Sequence, residues 1–427
     1  MDMTAPTARK SRTHLRSSDL RGIAQLATQA TAGVTRIAEG VHQSVLSTLG
    51  LPAGKSPGQT GGITGLVYRS VHGAAQFVGK GIDAVLVRLE PLLESAESAA
   101  PGTPQREAVL AALNGVMGDR LVASNNPFAT PMTLRHHGEV LDGPASPSLP
   151  DATGKVLLLI HGLCLNEDCW RTEQGGRVVD HGAALASALG CTPIHLRYNT
   201  GLHTSLNGRE LSDRLEQMVA RWPVPVEDLT VVAHSMGGLL IRSAVHQGRQ
   251  QGRRWPDRLR NIVFLGTPHH GAPLERAGNR VDVILGSTPW TAPFARLGKL
   301  RSAGVTDLRY GHVLDEDWRG HDRFHRRPDS RQIVPLPEGV RCYAVAATTA
   351  ARRSALADRL TGDGLVPLRS ALGEHDDARR TLAFPKAAQR IVYRTSHLGL
   401  LGSPVVTRQL LKWLAPAAAC TGRRKPA

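Results

Sequence analysis

The chain has 427 residues, a hydrophobic content of 41% and a formal net charge of +16, enough for one large globular domain with an appendage. Its basic side chains are 44 Arg and only 8 Lys, scattered in short clusters such as Arg253-Arg254 and Arg379-Arg380, and aromatics are 4%. A nucleic-acid binder concentrates its charge on one element and interleaves aromatic rings, so no nucleic-acid partner is expected. The five cysteines (Cys164, Cys169, Cys191, Cys342, Cys420) show no C-x-x-C or zinc spacing. No apolar run approaches the ~20 residues of a membrane span. Met1 to Leu20 has no apolar signal core, and the expected location is the cytoplasm, with peripheral contact at a membrane or lipid surface as the variant.

Along the chain, residues 1–18 read as a disordered basic tail. Residues 19–100 then carry apolar positions three and four apart (Ile23, Leu26, Ala30, Val34, Ile37, Val41; later Val67, Val71, Ala74, Val78, Ile82, Val85) around the Pro/Gly break at 51–62. That periodicity predicts a helical hairpin. Its apolar stripe has two natural uses: packing on the domain that follows or on a second copy, or lying on a lipid or granule surface. Pro101 and Pro104 precede a third helix around Gln105–Leu121. From there to residue 416 the chain alternates strand and helix: strands at Val156–Ile160, Pro193–Tyr198, Leu229–Ala233, Ile262–Leu265, Val340–Ala346 and Arg390–Tyr393, helices at Ala183–Leu189, Gly208–Arg221 and Gly238–His246. Such alternation predicts a mostly parallel sheet with helices on both faces, with the ligand site at the C-terminal strand ends. The long stretch 272–338 between two strands, with Trp290, Phe294, Leu297, Trp318 and Phe324 amid polar residues, reads as a lid insertion. Residues 417–427 read as a second tail.

Four motifs lie at those strand ends. The β-branched run Leu229-Thr-Val-Val-Ala233 enters His234-Ser235-Met236-Gly237-Gly238. Small residues two positions either side of a serine permit the sharp strand-to-helix turn that exposes its hydroxyl, and Ala233 and Gly237 supply them. This is the pattern of an α/β-hydrolase nucleophile elbow, with Ala in place of the first Gly. Val156–Ile160 ends in His161-Gly162-Leu163, where a loop can bring a second backbone donor to an oxyanion; the two donors are then the N–H groups of Leu163 and Met236. The base is expected late in the chain, and His397 in Thr395-Ser-His-Leu-Gly399 follows the last strand. His269, His270 and His375 are the competitors. The acid is expected between nucleophile and base. Asp363 in Gly362-Asp-Gly364 fits, ahead of Asp358, Glu275 and the Glu374–Asp377 run.

Ala-His-Ser-Met-Gly-Gly, Gly266-Thr-Pro-His-His-Gly271, Gly362-Asp-Gly-Leu-Val-Pro367 and Ser396-His-Leu-Gly399 together resemble the lipase/esterase branch of the α/β-hydrolases. Within that branch the chain looks most like bacterial relatives of the GPI inositol-deacylase group and the related triacylglycerol lipases. The resemblance covers about residues 120–415 and implies a serine esterase fold and triad without fixing the substrate; the function expected is hydrolysis of lipid-like carboxylic esters, with no cofactor and no metal. His312, His321 and His325 with Asp322 are the one further ligand-type grouping weighed. An acyltransferase would use the same residues, and a non-catalytic scaffold built on the N-terminal helices is the reading from a different class.

Overall fold

The computed structural model describes residues 104–141, 149–174, 176–272, 301–323, 328–351 and 362–415. Contacts divide the chain into two units, Thr103–Val122 with Ala129–Ala427, and Met1–Gly102 with Ala123–Phe128; the first carries everything below. The hairpin expected at 19–100 and both tails lie outside the described residues, as do Trp290, Phe294, Leu297 and Phe324.

The strands are β1 (Thr133–His136), β2 (Glu139–Val140), β3 (Lys155–Ile160), β4 (Arg171–Gln174), β5 (Arg177–Asp180), β6 (Thr192–Arg197), β7 (Asp228–His234), β8 (Leu259–Leu265), β9 (Arg341–Thr348) and β10 (Gln389–Tyr393). The helices are α1 (Pro104–Ala123), α2 (His181–Leu189), α3 (Thr204–Arg221), α4 (Met236–Gln250), α5 (Ala303–Tyr310), α6 (Leu368–Ala371) and α7 (Pro404–Leu414). Eight strands form one sheet in the order β10-β9-β8-β7-β3-β6-β1-β2, while β4 and β5 pair separately. The six from β10 to β6 are parallel, and β1 and β2 add an antiparallel edge. This is the expected mostly parallel sheet.

The central strands are continuous apolar runs because both faces are covered. Alternate residues serve opposite cores: Val156, Leu158 and Ile160 of β3 pack with Leu211 and Leu215 of α3 and Leu240 and Ala244 of α4. Leu157 and Leu159 face the other way, toward Leu185 of α2 and Val406 and Leu410 of α7. Side chains alternate across a strand and repeat every three or four along a helix, so one pattern fills both layers.

α3 begins four residues before the expected Gly208. Its first turn carries Thr204, Ser205 and Asn207, buried polar residues that interrupt the apolar period. What holds this turn comes from the insertion. Asp307 of α5, buried, accepts from the Thr204 N–H at 2.7 Å and faces His203 Nδ1 at 2.9 Å and His312 Nδ1 at 3.3 Å. These contacts hold the Asp307 carboxyl below the usual carboxylate range despite its burial. Trp318 stacks on His203 with centroids 3.6 Å apart and donates to Ser205 Oγ at 2.9 Å. The α5 end is tied down by Ser302 Oγ donating to Gly115 O at 2.6 Å and Gly304 N donating to Gly201 O at 3.0 Å. The described parts of the expected lid are therefore packed, hydrogen-bonded structure. Among the described residues no helix is long and apolar enough to cross a membrane.

α1 meets the loop after β6 through glycines: a Cβ on Gly201 would collide with Asn114 O and approach Gly118 N to 2.7 Å. Backbone cannot yield as a flexible side chain does. Gly201→Ala is expected to cost about 1–3 kcal/mol of stability, read as a thermal midpoint several degrees below wild type. An unchanged midpoint would contradict this packing.

Candidate active site

Ser235 is the only residue between β7 and α4, and it turns the chain there with φ 55° and ψ −123°. A non-glycine residue in this region is strained and persists only where its surroundings over-determine it. Here the Ser235 N–H donates to Leu265 O at 2.8 Å, Ala233 and Met236 are fully buried, and α4 packs along its length. Gly237 has no room for a side chain, since a Cβ would come within 2.7 Å of both Ile160 O and His161 O. Gly238 abuts Thr267 in the same way. The small residues that suggested the elbow are thus required by contact.

The expected oxyanion loop lies against the serine. A Cβ on Gly162 would be 2.8 Å from Ser235 Cβ and 3.0 Å from His234 Nδ1. His161 is fully buried, its ring stacked on Tyr198 at 4.5 Å, and its Nδ1 lies 2.9 Å from Gly162 O. A carbonyl only accepts, so Nδ1 carries the proton. The peptide is planar and trans, and pinning the Gly162 carbonyl therefore fixes the opposed direction of the Leu163 N–H. The Met236 N–H is among the first-turn donors of α4, which have no intrahelical partner.

The strongest polar contact of the site joins the expected base and acid. His397 Nδ1 lies 2.7 Å from Asp363 Oδ2, and the His397 N–H donates to Asp363 O at 2.9 Å. Both side chains are buried. The second carboxylate oxygen accepts from Leu365 N at 2.9 Å and Val366 N at 2.7 Å, so the Gly-Asp-Gly turn orients the carboxylate. With Nδ1–H given to Asp363, the Nε2 lone pair of His397 is free. Among the described residues Ser235 Oγ makes no hydrogen bond, to His397 or to another group; such bonds are often long without substrate and tighten in the complex. His397 nonetheless lies at the elbow: its Nδ1 and Cε1 are 3.2 Å from where a Cβ on Gly266 would sit, and Gly266 follows the Leu265 that holds Ser235.

The competing residues are placed elsewhere. His269 is buried against Phe264 and Phe384 and does not approach Asp363. His270 faces Gly373 O, and His375 faces Asp329. Asp376 and Asp377 pair with Arg369 and Arg379. Asp358, Glu275 and His325 lie outside the described residues, and among those described no group of three ligand-type side chains could hold a metal. Sequence reasoning missed His181, which touches the base-bearing segment from α2. A histidine opening a helix after an Asp cap carries no recognisable signal of that contact.

Burial shapes the histidines around the site. Desolvation lowers His161 to about 4 and holds His181, His234 and His269 below the ordinary histidine value. Each is neutral in the fold, whereas the unfolded chain protonates them near 6.5. The unfolded state then binds more protons below that pH, so the stability from their burial is present above about 6.5 and is lost as pH falls toward 4. At ~1.4 kcal/mol per pKa unit, His161 alone contributes on the order of 3 kcal/mol. Thermal midpoints are expected to be flat from pH 7 to 8 and to drop steeply between 6.5 and 4; a flat profile across that window would contradict neutral burial.

Residues 151–327 match the family described as a PGAP1-like alpha/beta domain. No curated protein matches the sequence. Among solved structures the chain is similar to a mature lipase of Bacillus licheniformis at 16% identity, with 66% of this chain and 98% of that chain covered and a TM-score of 0.41. It is similar at 13% identity to phospholipase PlaB of Legionella pneumophila, over 51% of this chain and 45% of that one, with a TM-score of 0.32. A type II thioesterase of the yersiniabactin pathway aligns at 12% identity over 62% of this chain and 94% of that chain, with a TM-score of 0.34. By its sheet, its elbow and the PGAP1-like match over residues 151–327, the chain has an α/β-hydrolase fold.

Proposed function

We propose that this chain is a serine carboxylic ester hydrolase acting on lipid-like esters through an acyl-enzyme on Ser235. The observation that carries the reading is the buried His397–Asp363 pair, 2.7 Å apart, beside a serine held at φ 55°. An orienting carboxylate and a nucleophile on a strained turn are the parts such chemistry needs.

In this mechanism His397 Nε2 takes the Ser235 hydroxyl proton as Oγ attacks the ester carbonyl. The Leu163 and Met236 N–H groups receive the oxyanion, and Asp363 stabilises the imidazolium while keeping its tautomer. His397 then returns the proton to the departing alcohol. Water, deprotonated by the same imidazole, attacks the acyl-enzyme, and the acid leaves as Ser235 recovers its proton. No cofactor enters these steps. The lipid-like preference is supported by the apolar side chains at the elbow: Leu163 and Met236 are both buried there, and the Met236 Cε lies 3.0 Å from the Cβ position of Gly304 in α5. Peripheral contact with a lipid surface is assigned to the N-terminal residues, outside those described.

Wild-type protein is expected to react with a fluorophosphonate probe and to hydrolyse p-nitrophenyl esters with an optimum beyond acetate. Ser235→Ala and His397→Ala should abolish labelling, and Asp363→Asn should lower kcat on the order of 10⁴-fold by offering the wrong tautomer partner. A folded wild type that neither labels nor turns over any ester would sink the proposal. Gly162→Ala, whose methyl group has no room beside Ser235, is expected to lower kcat about 10²–10³-fold with little change in KM by misplacing an oxyanion donor. An equal loss in binding alone would remove Leu163 from that role.

A further inference from the structure

The segment carrying His397 is short, a single 3₁₀ turn at Leu398–Leu400 between β10 and α7. Two buried histidines from distant parts of the chain reach it. His234, at the end of β7, places Nε2 3.2 Å from the carbonyl oxygen of His397, with the two rings 4.6 Å apart. His181, the first residue of α2, places Nε2 3.0 Å from the carbonyl oxygen of Leu400. Its Nδ1 lies 2.9 Å from Thr407 Oγ1 in α7.

A carbonyl oxygen accepts and cannot donate, so in both rings Nε2 carries the hydrogen and Nδ1 is the bare nitrogen. For His181 this makes the Thr407 hydroxyl the donor to Nδ1, and the ring becomes a bridge from α7 through α2 to the turn. For His234 the bare Nδ1 faces the oxyanion loop, 3.0 Å from the Cβ position of Gly162. His234 thus stands between Gly162 and the backbone of His397, with its own backbone next to Ser235.

From this geometry we infer that His181 and His234 are positioning residues for the base: their Nε2–H groups grip the first and last carbonyls of the 397–400 turn and set where the His397 imidazole points. The inference rests on the hydrolase reading for its catalytic consequence, but not for the positioning itself. Burial holds both rings toward the neutral form, so each keeps one N–H for its carbonyl while the base passes its proton. Neither ring takes part in proton transfer to substrate. The base is held from its backbone, while Asp363 holds it from its side chain.

The test uses His181 and His234 each changed to Gln, whose amide can present a donor near the position of Nε2, and to Leu, which cannot donate. Two readouts are followed on the full chain: the rate of fluorophosphonate labelling, and the downfield proton resonance of the His397–Asp363 hydrogen bond. Circular dichroism and thermal midpoints report folding. The Leu variants are expected to label about 10- to 100-fold more slowly, as a base displaced by less than 1 Å would, and to shift or broaden the downfield proton. The Gln variants should recover most of both. Gln variants as slow as folded Leu variants, or Leu variants with wild-type labelling and an unmoved resonance, would overturn the inference. If the Leu variants do not fold, the Gln variants decide: loss of the resonance in a folded Gln protein counts against it. A wild type that shows the resonance but no labelling would instead count against the hydrolase reading, while the resonance still scores the grip.

Discussion

The left-handed backbone of Ser235 is the constraint on which the site is built. An L-residue there costs on the order of 1–3 kcal/mol, and it is held because it has no slack on either side. β7 is locked in register between β3 and β8, and α4 is buried for most of its length. The next residues, Gly237 and Gly238, touch backbone and Thr267 so closely that α4 has one seat on the sheet. Strain at one residue is thereby set against the packing of a whole strand–helix unit. Disposed around that point are the His161-Gly162 loop after β3, Asp363 after β9 and His397 after β10, because parallel strands deliver all their C-terminal ends to one edge.

Most of this frame is legible in the sequence because its strands are buried on both faces. Val156–Ile160 and Leu229–Ala233 are unbroken apolar runs, and a continuous run bounded by turn residues has few other readings. The parts that escape are those whose stability is borrowed. β1 and β2 are short strands at the antiparallel end of the sheet, and β4–β5 is a small separate hairpin; none has an apolar period of its own. The first turn of α3 hides behind Thr204, Ser205 and Asn207, because the carboxylate that caps it, Asp307, comes from 103 residues later. The site divides in the same way. Each motif is local, so Ser235, His161-Gly162, Asp363 and His397 could be found one at a time. Contacts of His181 and His234 with the 397–400 turn span 219 and 163 residues, and no local pattern encodes them.

Those contacts also explain why so many histidines belong in this core. A neutral imidazole is a flat side chain with one donor and one acceptor, able to satisfy a buried carbonyl without a charge to desolvate. His161, His181 and His234 each give one N–H to a main-chain carbonyl in a turn, where no neighbouring strand or helix can supply a partner. A lysine would carry a charge into the same position, and a leucine at His181 or His234 would remove the N–H donor to its carbonyl. The dependence on neutrality is the reason the fold should loosen with acid before its carboxylates titrate.

The arginine excess is a related solution at larger reach. A guanidinium offers five donors, and here several of them close loops instead of facing a polyanion. Arg242, buried in α4, donates to Val334 O at 2.6 Å, and Arg249 to Glu338 O at 2.6 Å. Arg331 bonds His269 O and Gly311 O at 3.2 Å while paired to Asp329, and Arg380 in turn bonds Arg331 O at 2.9 Å. Together they bind the tail of the 272–338 insertion to α4 and to the loop after β8. Moving residues 328–338 would break the main-chain contacts of Arg242, Arg331 and Arg380 and leave Arg242 desolvated without its carbonyl partner. Displacing α5 would likewise uncap α3 and strand the Asp307 carboxylate. The described half of the insertion therefore forms a fixed wall beside Met236, so tightly packed that Gly304 of α5 has no room for a methyl group.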